Sequence, residues 1–176
     1  MNTPLPAARE LEKLPMRAVV AYAARTARRV SAEFRSLVSD DILDEALRLV
    51  DSVATAPRLS EVDQASVIKA SERFVAAYAA APTDMQSAEK DLMVFSLVQA
   101  ALAAMYVLIA AIDPSDARHQ MKRAVQAAQR AVRPIEALSS MAASAAKEAA
   151  RQDYDVLLRE YGERDEVVLG DPVNCF

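Results

Sequence analysis

A segment of 21 residues without a single charge, Leu92 to Ile112, constrains the fold of this chain more than any other feature. Ser96 and Gln99 interrupt an otherwise apolar run. A helix that is apolar on every side must be surrounded by apolar material, either neighbouring helices or lipid. The segment is long enough to span a bilayer, which takes about 20 residues. The choice between core helix and membrane anchor therefore decides the class of the protein.

The composition of this segment and its flanks favours the core helix. Six of its residues are Ala, and Gln99 lies near its middle. Lys90 and Asp91 precede it and Asp113 follows, so no asymmetry of Lys and Arg orients a membrane span. The rest of the chain also offers several amphipathic helices with apolar faces to bury. We expect a protein without membrane association, with a single-pass anchor as the alternative.

The composition predicts an all-α protein. Of 176 residues 37 are Ala, the strongest helix former, whereas Gly occurs only twice. This length suits one domain with a substantial core. We expect one all-helical domain over residues 1–162 and an extended C-terminal tail over residues 163–176.

Periodicity and capping residues predict a single-domain bundle of six to seven helices around a central buried apolar helix at about 85–112. The predicted helices cover residues 7–13, 15–37, 40–56, 60–81, 85–112, 114–133 and 135–161. A capping box at Ser60-Glu61-Val62-Asp63 marks the start of the fourth helix. Pro134 either kinks or ends the sixth helix. Gly162 suits the left-handed residue that ends the seventh.

The same periodicity assigns a buried side to each helix. In the fourth helix the inward residues are Val67, Ser71, Phe74, Val75 and Tyr78. In the central helix full burial removes large side chains from water, among them Phe95, Leu97, Leu102, Leu108 and Ile109. In the seventh helix the packed residues include Leu138, Met141, Ala142, Ala145, Ala149, Val156, Leu157 and Tyr161.

The residues that common catalytic and metal sites require are missing. Neither glycine belongs to a phosphate-binding loop. His119 is the only histidine and Cys175 the only cysteine, whereas zinc sites use several such ligands. We therefore predict no enzyme activity, no catalytic residue, no cofactor and no metal. A single cysteine and a charged N-terminal segment also predict a cytoplasmic location.

Two helices carry basic faces. On the second helix the basic residues are Arg17, Arg25, Arg28, Arg29 and Arg35, opposite its apolar side; on the sixth they are Arg118, Lys122, Arg123, Arg130 and Arg133. The predicted partner-binding residues are Arg17, Arg25, Arg28, Arg29, Arg118, Lys122 and Arg130. If the two faces adjoin, they form one basic surface for an acidic protein or a phosphate backbone. The alternative is two solvated faces whose arginines pair with acids of the third and fourth helices.

Nucleic acid is the less favoured partner of such a surface. The chain has a formal net charge of −4 and a pI of about 5.1, so no global basic field attracts phosphates. Few aromatic residues interleave with the arginines, which disfavours binding of single strands by stacking. We expect a protein partner and no nucleic acid.

Residues 14–112 resemble uncharacterised all-helical bacterial proteins, including a predicted immunity family of polymorphic toxin systems. The residues that carry the resemblance are Leu14-Pro15-Met16-Arg17-Ala18-Val19-Val20-Ala21-Tyr22-Ala23-Ala24-Arg25, Ala27-Arg28-Arg29-Val30 and Asp44-Glu45-Ala46-Leu47. The resemblance implies a helical protein that binds and neutralises a toxin, and it assigns no binding residue.

Together these observations predict a non-catalytic protein-binding module, with an immunity protein that sequesters a bacterial toxin as the specific expectation. The alternatives are a structural or self-associating helical bundle, including a homodimer, and a helical small-ligand-binding protein or enzyme whose site leaves no trace in the sequence.

Overall fold

The computed structural model describes residues 4–33, 40–80, 87–137, 140–162 and 166–173. Within these ranges the chain forms seven α-helices and no strand. The helices are α1 (Ala8–Leu11), α2 (Met16–Glu33), α3 (Asp40–Thr55), α4 (Gln64–Ala79), α5 (Ser87–Ile112), α6 (Ala117–Val132) and α7 (Ser140–Tyr161). The predicted all-α bundle is therefore confirmed.

The centre of the bundle is a pair of helices, α2 and α5. The predicted central helix, α5, packs against α2, α3, α4 and α6. Its neighbour α2 contacts α3, α5, α6 and α7, and every residue from Met16 to Ala24 is buried. The sequence predicts α2 to be buried on one side only. Its complete burial over this stretch follows from partners that are distant along the chain.

The buried stripes of α3 and α6 agree with the predicted periodicity. Helical spacing predicts a buried side of α3 that is confirmed at every position: Leu43, Ala46, Leu47, Val50, Val53 and Ala54. In α6 the spacing predicts Ala117, Met121, Ala124, Val125, Ala128, Ala131 and Val132, and all are buried except Ala117, which is partly buried. Both helices present one apolar side to α2 and α5 and a polar side to solvent.

The start of α4 differs from the predicted capping box. Residues Leu59–Glu61 form a short 3₁₀ turn, and α4 begins at Gln64. Asp63 is the capping residue: its carboxylate accepts hydrogen bonds from the backbone N–H of Ala65 at 3.0 Å and the hydroxyl of Ser66 at 2.5 Å. These two bonds to the ionised carboxylate lower the pKa of Asp63. The predicted cap at Ser60 is therefore wrong by three residues.

Pro134 ends the sixth helix. The α-helical hydrogen bonding of α6 stops at Val132, and residues Arg133–Ala137 continue as a 3₁₀ turn before α7 begins. Proline has no backbone N–H to donate in a helix interior, which explains the break.

The packed side of α7 agrees with the predicted one near its C-terminal end and differs earlier in the helix. Leu157 is buried and Tyr161 packs against the core, as predicted, and Ala149 and Val156 are partly buried, whereas Ala145 is exposed. The side chains of the predicted residues Leu138, Met141 and Ala142 lie outside the described residues. Ala143, Ala150, Asp153 and Tyr154 are also buried, and Asp153 faces two arginines of α2.

The C-terminal tail lies across the ends of α2 and α3. The backbone N–H groups of Met16 and Arg17 donate to the carbonyl oxygens of Val168, at 2.9 Å, and Leu169, at 3.0 Å. The first N–H groups of a helix have no partner inside the helix, so the tail satisfies them for α2. The backbone N–H of Val173 donates to the carbonyl oxygen of Ala54 near the end of α3, at 2.8 Å.

Two glycines have a left-handed backbone conformation, one at the end of α7 and one within the tail. Gly162, at the end of α7, has φ +76°, as its position predicts. Gly170 has φ +81° and lies so close to Pro15 that a Cβ atom would meet the Cβ of Pro15 at 2.5 Å. The tail can therefore approach α2 because residue 170 has no side chain.

Candidate protein-binding surfaces

Three of the predicted partner-binding arginines are partly buried and form ion pairs between helices. Arg28 of α2 donates two hydrogen bonds to the carboxylate of Asp51 in α3, one of them at 2.7 Å. Arg25 and Arg29 both bind the carboxylate of Asp153 in α7. Both acids are buried. These arginines therefore join α2 to α3 and α7.

Arg17, the fourth predicted residue on α2, does not lie on an exposed face. Its side chain is buried, with 3% of the residue exposed. Burial lowers its pKa, and the nearby carboxylate of Asp171 in the tail opposes that shift. The predicted solvent exposure of Arg17 is wrong because the tail crosses the helix at this point, and nothing local in the sequence indicates that crossing.

The predicted residues of α6 are exposed. Arg118, Lys122 and Arg130 all lie on its solvent side. The guanidinium of Arg123 lies over the ring of Tyr106 in α5, 5.5 Å from its centroid, in a cation–π arrangement. Among the described residues, none of these four cations forms an ion pair.

The two basic faces do not merge into one surface. The arginines of α2 bind acids of α3 and α7, whereas those of α6 point to solvent. The predicted set is therefore divided into Arg17, Arg25, Arg28 and Arg29 inside or between helices and Arg118, Lys122 and Arg130 on the outside. Of the predicted partner-binding residues, the three on α6 are therefore the ones that form an exposed cationic surface.

An apolar groove of about 450 Å³ lies between α4 and α5. The lining residues of α4 are Val67, Ile68, Ser71, Glu72, Val75, Ala76 and Ala79, and those of α5 are Val98, Ala101, Leu102 and Met105. The hydroxyl of Ser71 donates to the carbonyl oxygen of Val67, at 3.1 Å, so it is satisfied within its own helix. Glu72 contributes the charge in this lining.

Large apolar side chains are exposed in and beside the groove. Ile68 is 39% exposed and Val75 is 38% exposed, and Phe95 of α5 is also 39% exposed. The predicted burial of Val75 and Phe95 is therefore wrong. Val67, Phe74, Leu97 and Leu108 are buried as predicted, and Leu102 and Ile109 are partly buried. The central helix thus buries most of its surface and leaves one side uncovered. The side chain of Tyr78 lies outside the described residues.

The sequence contains a pattern that indicates this groove. An interpretation that assigns a single buried stripe to α4 does not detect it. Apolar residues of α4 occur in adjacent pairs seven positions apart, Val67-Ile68 and Phe74-Val75. Seven residues are about two helical turns, so each pair contributes to two parallel stripes. One stripe, Val67 and Phe74, enters the core, and the other, Ile68 and Val75, lines the groove.

The surroundings of the groove are acidic. Residues 40–80, which include α3 and α4, carry eight acidic and four basic side chains. On α3, Glu45 binds Arg73 of α4 at 2.8 Å, which uses one of those four cations. The exposed side of α5 from Leu92 to Ile112 adds no charge. The groove is therefore an apolar surface with Glu72 as the charge in its lining, in a part of the chain that is acidic as a whole.

Reactive groups do not gather anywhere in the described part of the chain. No cluster of three His, Cys, Asp or Glu side chains there could hold a metal ion. His119 is exposed on α6, and Cys175 lies outside the described residues. What the described surface offers is apolar area and charge.

Within the described ranges, one helix is long and apolar enough to cross a membrane by length and composition, and its candidate span is Leu92–Ile112. Over half of that span is buried inside the protein. Comparisons of this chain with protein-family models, with curated proteins and with solved structures find no match.

Proposed function

We propose that this chain is a non-catalytic protein-binding module whose α4–α5 groove receives an amphipathic helix of the partner. The observation that carries the proposal is the exposure of Ile68, Val75 and Phe95 in and beside one continuous groove. Apolar patches rimmed by polar residues mark surfaces that another molecule covers.

The shape of the groove suits a helix. The start of α4 and the end of α5 meet, since Val62, Gln64, Leu108 and Ile112 line one small cleft, so the two helices run antiparallel. A third helix can lie between two such neighbours with residues at i, i+3, i+4 and i+7 in the groove. From Val67 to Ala79 the groove extends for roughly 18 Å, about three turns of a partner helix.

The charges around the groove favour a protein partner over lipid. An exposed apolar helix face can also dock on a membrane, but anionic lipid headgroups attract basic borders. Here the charge in the lining is the carboxylate of Glu72, and residues 40–80 as a whole carry eight acidic and four basic side chains. The complementary occupant is therefore a helix with an apolar stripe and a basic residue opposite Glu72.

The more specific proposal is an immunity protein that sequesters a bacterial toxin. Its support is the resemblance of residues 14–112 to a predicted immunity family, together with a surface suited to binding another protein. In this proposal the helix in the groove belongs to the toxin, and binding alone neutralises it. The proposed location is the cytoplasm.

The test compares a groove variant with a matched surface variant in affinity capture from the source cells. Ile68→Glu/Val75→Glu places two charges in the groove at exposed positions, so the fold should persist. Ala65→Glu places a charge on the same helix outside the groove lining. We expect the wild type and Ala65→Glu to retain the same stoichiometric partner and the double variant to lose it. Equal capture by the double variant would contradict the proposal.

The toxin assignment has its own readout. The captured protein, or the product of the adjacent gene, is expressed alone and together with each variant. We expect growth arrest from the partner alone, rescue by the wild type and no rescue by Ile68→Glu/Val75→Glu. A captured partner without any effect on growth would contradict the immunity role while leaving the binding module in place.

Self-association is the second candidate, because the same uncovered groove can receive α4 or α5 of a second copy. Light scattering after size exclusion distinguishes the two. A dimer that Ile68→Glu/Val75→Glu converts to a monomer, without another captured partner, supports the structural bundle.

A further inference from the structure

We infer that the solvent side of α6 is a second binding surface, and that its ligand is an acidic polypeptide segment. The surface consists of Arg118, Lys122, Arg123, Arg130 and Arg133, and the name α6 surface refers to these five residues. It lies outside the α4–α5 groove, and the inference does not depend on the groove or on the proposed toxin.

The first observation is that the cations of the α6 surface form no ion pair with any described residue. From Ala117 to Pro134 the sequence contains no acidic residue. Across the described ranges, no carboxylate lies within ion-pair distance of any of the five cations. Glu136, the next acid along the chain, pairs with Lys147 of α7 at 3.9 Å.

The arginines of α2 differ from the cations of α6 in their ion pairing. Arg25, Arg28 and Arg29 are held by buried acids that come from other helices. Among the described residues, the arginines of α2 that join helices are therefore paired with carboxylates, whereas those of α6 are not. A cluster of uncompensated cations on a protein of net charge −4 is itself repulsive, so an anionic ligand would relieve that repulsion.

The second observation is the arrangement of the five side chains. At 100° per residue they fall within an arc of roughly 140° on α6 and its continuation. They extend from Arg118 to Arg133, roughly 22 Å at 1.5 Å per residue. Each end of this strip opens on a cleft. One cleft, of about 300 Å³, lies beside Arg118 and Lys122, and the other, of about 240 Å³, lies beside Arg133.

The charge density of the strip favours a polypeptide over a nucleic acid. Five cations over this length give one positive charge per roughly 4–5 Å, whereas duplex DNA carries one negative charge per about 1.7 Å. The acidic α3 would also repel a long polyanion. The ring of Tyr106 beside the strip already lies under the guanidinium of Arg123, which occupies one of its faces. Spaced carboxylates on an extended segment or a helix match the strip better.

Acidic residues of this chain also line the first cleft. They determine where on the α6 surface we expect the acidic ligand to bind most strongly. Glu12 and Glu166 line the cleft beside Arg118 and Lys122, without an ion pair to either cation. The potential there is therefore lower than at Arg123 and Arg130. We expect an acidic segment to bind mainly along the middle and C-terminal half of α6.

The test uses a defined probe and two variants of identical net charge. The probe is a fluorescein-labelled oligoglutamate of about seven residues, which spans roughly 23 Å when extended. Arg123→Gln/Arg130→Gln/Arg133→Gln removes three cations from the middle and C-terminal half of the α6 surface. Arg48→Gln/Arg58→Gln/Lys69→Gln removes three exposed cations from the α3–α4 side. All six positions are exposed, and circular dichroism with thermal unfolding checks that both variants fold.

We expect fluorescence anisotropy at low salt to show binding to the wild type that the α3–α4 variant retains. The α6 variant should bind about tenfold more weakly, and added salt should weaken all binding. Ile68→Glu/Val75→Glu should bind the probe as the wild type does, which separates this inference from the proposed function.

Three results would overturn the inference. One is the absence of probe binding to the wild type at low salt. Another is equal loss in the two triple variants, because that would assign the effect to net charge alone. The third is tighter binding of a DNA duplex than of the peptide, with the DNA binding lost in the α6 variant, because that would assign the surface to nucleic acid.

Discussion

Arg29 of α2 donates a hydrogen bond from its Nη1 to Oδ2 of Asp153 in α7, so residues 124 positions apart hold two helices together. Arg25 approaches the other carboxylate oxygen of Asp153 at 3.4 Å. Asp153 is buried, and a buried carboxylate needs such partners to remain ionised. The position of α7 on the bundle therefore depends on a polar contact.

We predict that Asp153→Asn destabilises the protein by about 2 kcal/mol. The amide keeps the size of the side chain but leaves two partly buried guanidinium groups without their carboxylate. Urea unfolding followed by circular dichroism measures the loss. Asp155→Asn is the matched control on the same helix, because Asp155 is more than half exposed and should cost no more than about 0.5 kcal/mol. Equal losses in the two variants would show that the Asp153 pairs do not stabilise the fold.

The two glycines give a second prediction. Gly162→Ala should cost about 1 kcal/mol, because its left-handed backbone disfavours a side chain although no atom lies within 4 Å of the new Cβ. Gly170→Ala carries the same backbone cost and also forces its Cβ against Pro15, so the tail must shift. We expect a loss at least twice as large for Gly170→Ala. Thermal unfolding measures both, and a smaller loss at Gly170 would show that the tail does not lie on Pro15.

The orientation of α5 can be tested with a pair of neighbouring residues. Leu97 is fully buried and Phe95 is 39% exposed. Leu97→Asp buries a charge and removes apolar area from the core, so we expect a loss above about 4 kcal/mol and little soluble protein. Phe95→Asp should remain soluble and helical. Soluble fractions and circular dichroism compare the two variants. A soluble, helical Leu97→Asp together with an insoluble Phe95→Asp would show that α5 has another orientation in the bundle or lies in lipid.

Glu10 of α1 gives a pH-dependent prediction. Its pKa lies below the ordinary value of 4.5, because the backbone N–H of Ala7 donates to its carboxylate, with a further contribution from Arg151 that burial partly opposes. A lowered pKa in the folded state means that the ionised carboxylate stabilises the protein above about pH 4.5 and that this contribution is lost as the pH falls through the lowered pKa.

Glu10→Gln should therefore be less stable than the wild type near neutral pH, and the difference should shrink below about pH 4.5. Urea unfolding at a series of pH values measures it. A difference that stays constant from about pH 7 to about pH 3 would contradict the role of the carboxylate.

The elements of this fold follow from local patterns, and their contacts do not. The uncharged run of α5 and the apolar stripes of α3 and α6 predict a helical bundle, because a stripe at helical spacing must be buried somewhere. The burial of Arg17 could not be predicted, since it depends on a tail about 150 residues later in the chain. The buried position of Asp153 is similar: a carboxylate on a helix is expected in solvent unless its distant arginines are known.

The candidate surfaces show the same limit. Arg118, Lys122 and Arg130 are exposed as predicted, because α6 has one clear apolar side and an uninterrupted basic side. The α4–α5 groove was not predicted, because an apolar residue such as Val75 is assigned to the core by default. Periodicity identifies which residues are apolar. A second apolar stripe is buried only if the fold supplies another helix that packs against it. The periodicity of one helix does not indicate whether such a helix is present.

The contact of the tail with α2 has a consequence for how the protein is made. The N–H groups at the start of α2 find their acceptors in Val168 and Leu169, which the ribosome adds about 150 residues after Met16. A nascent chain can collapse around α2 and α5, but the first N–H groups of α2 have no acceptors from the tail until residues 168 and 169 have been added. A product that terminates before residue 168 would thus expose the unpaired start of α2, where proteases could attack it.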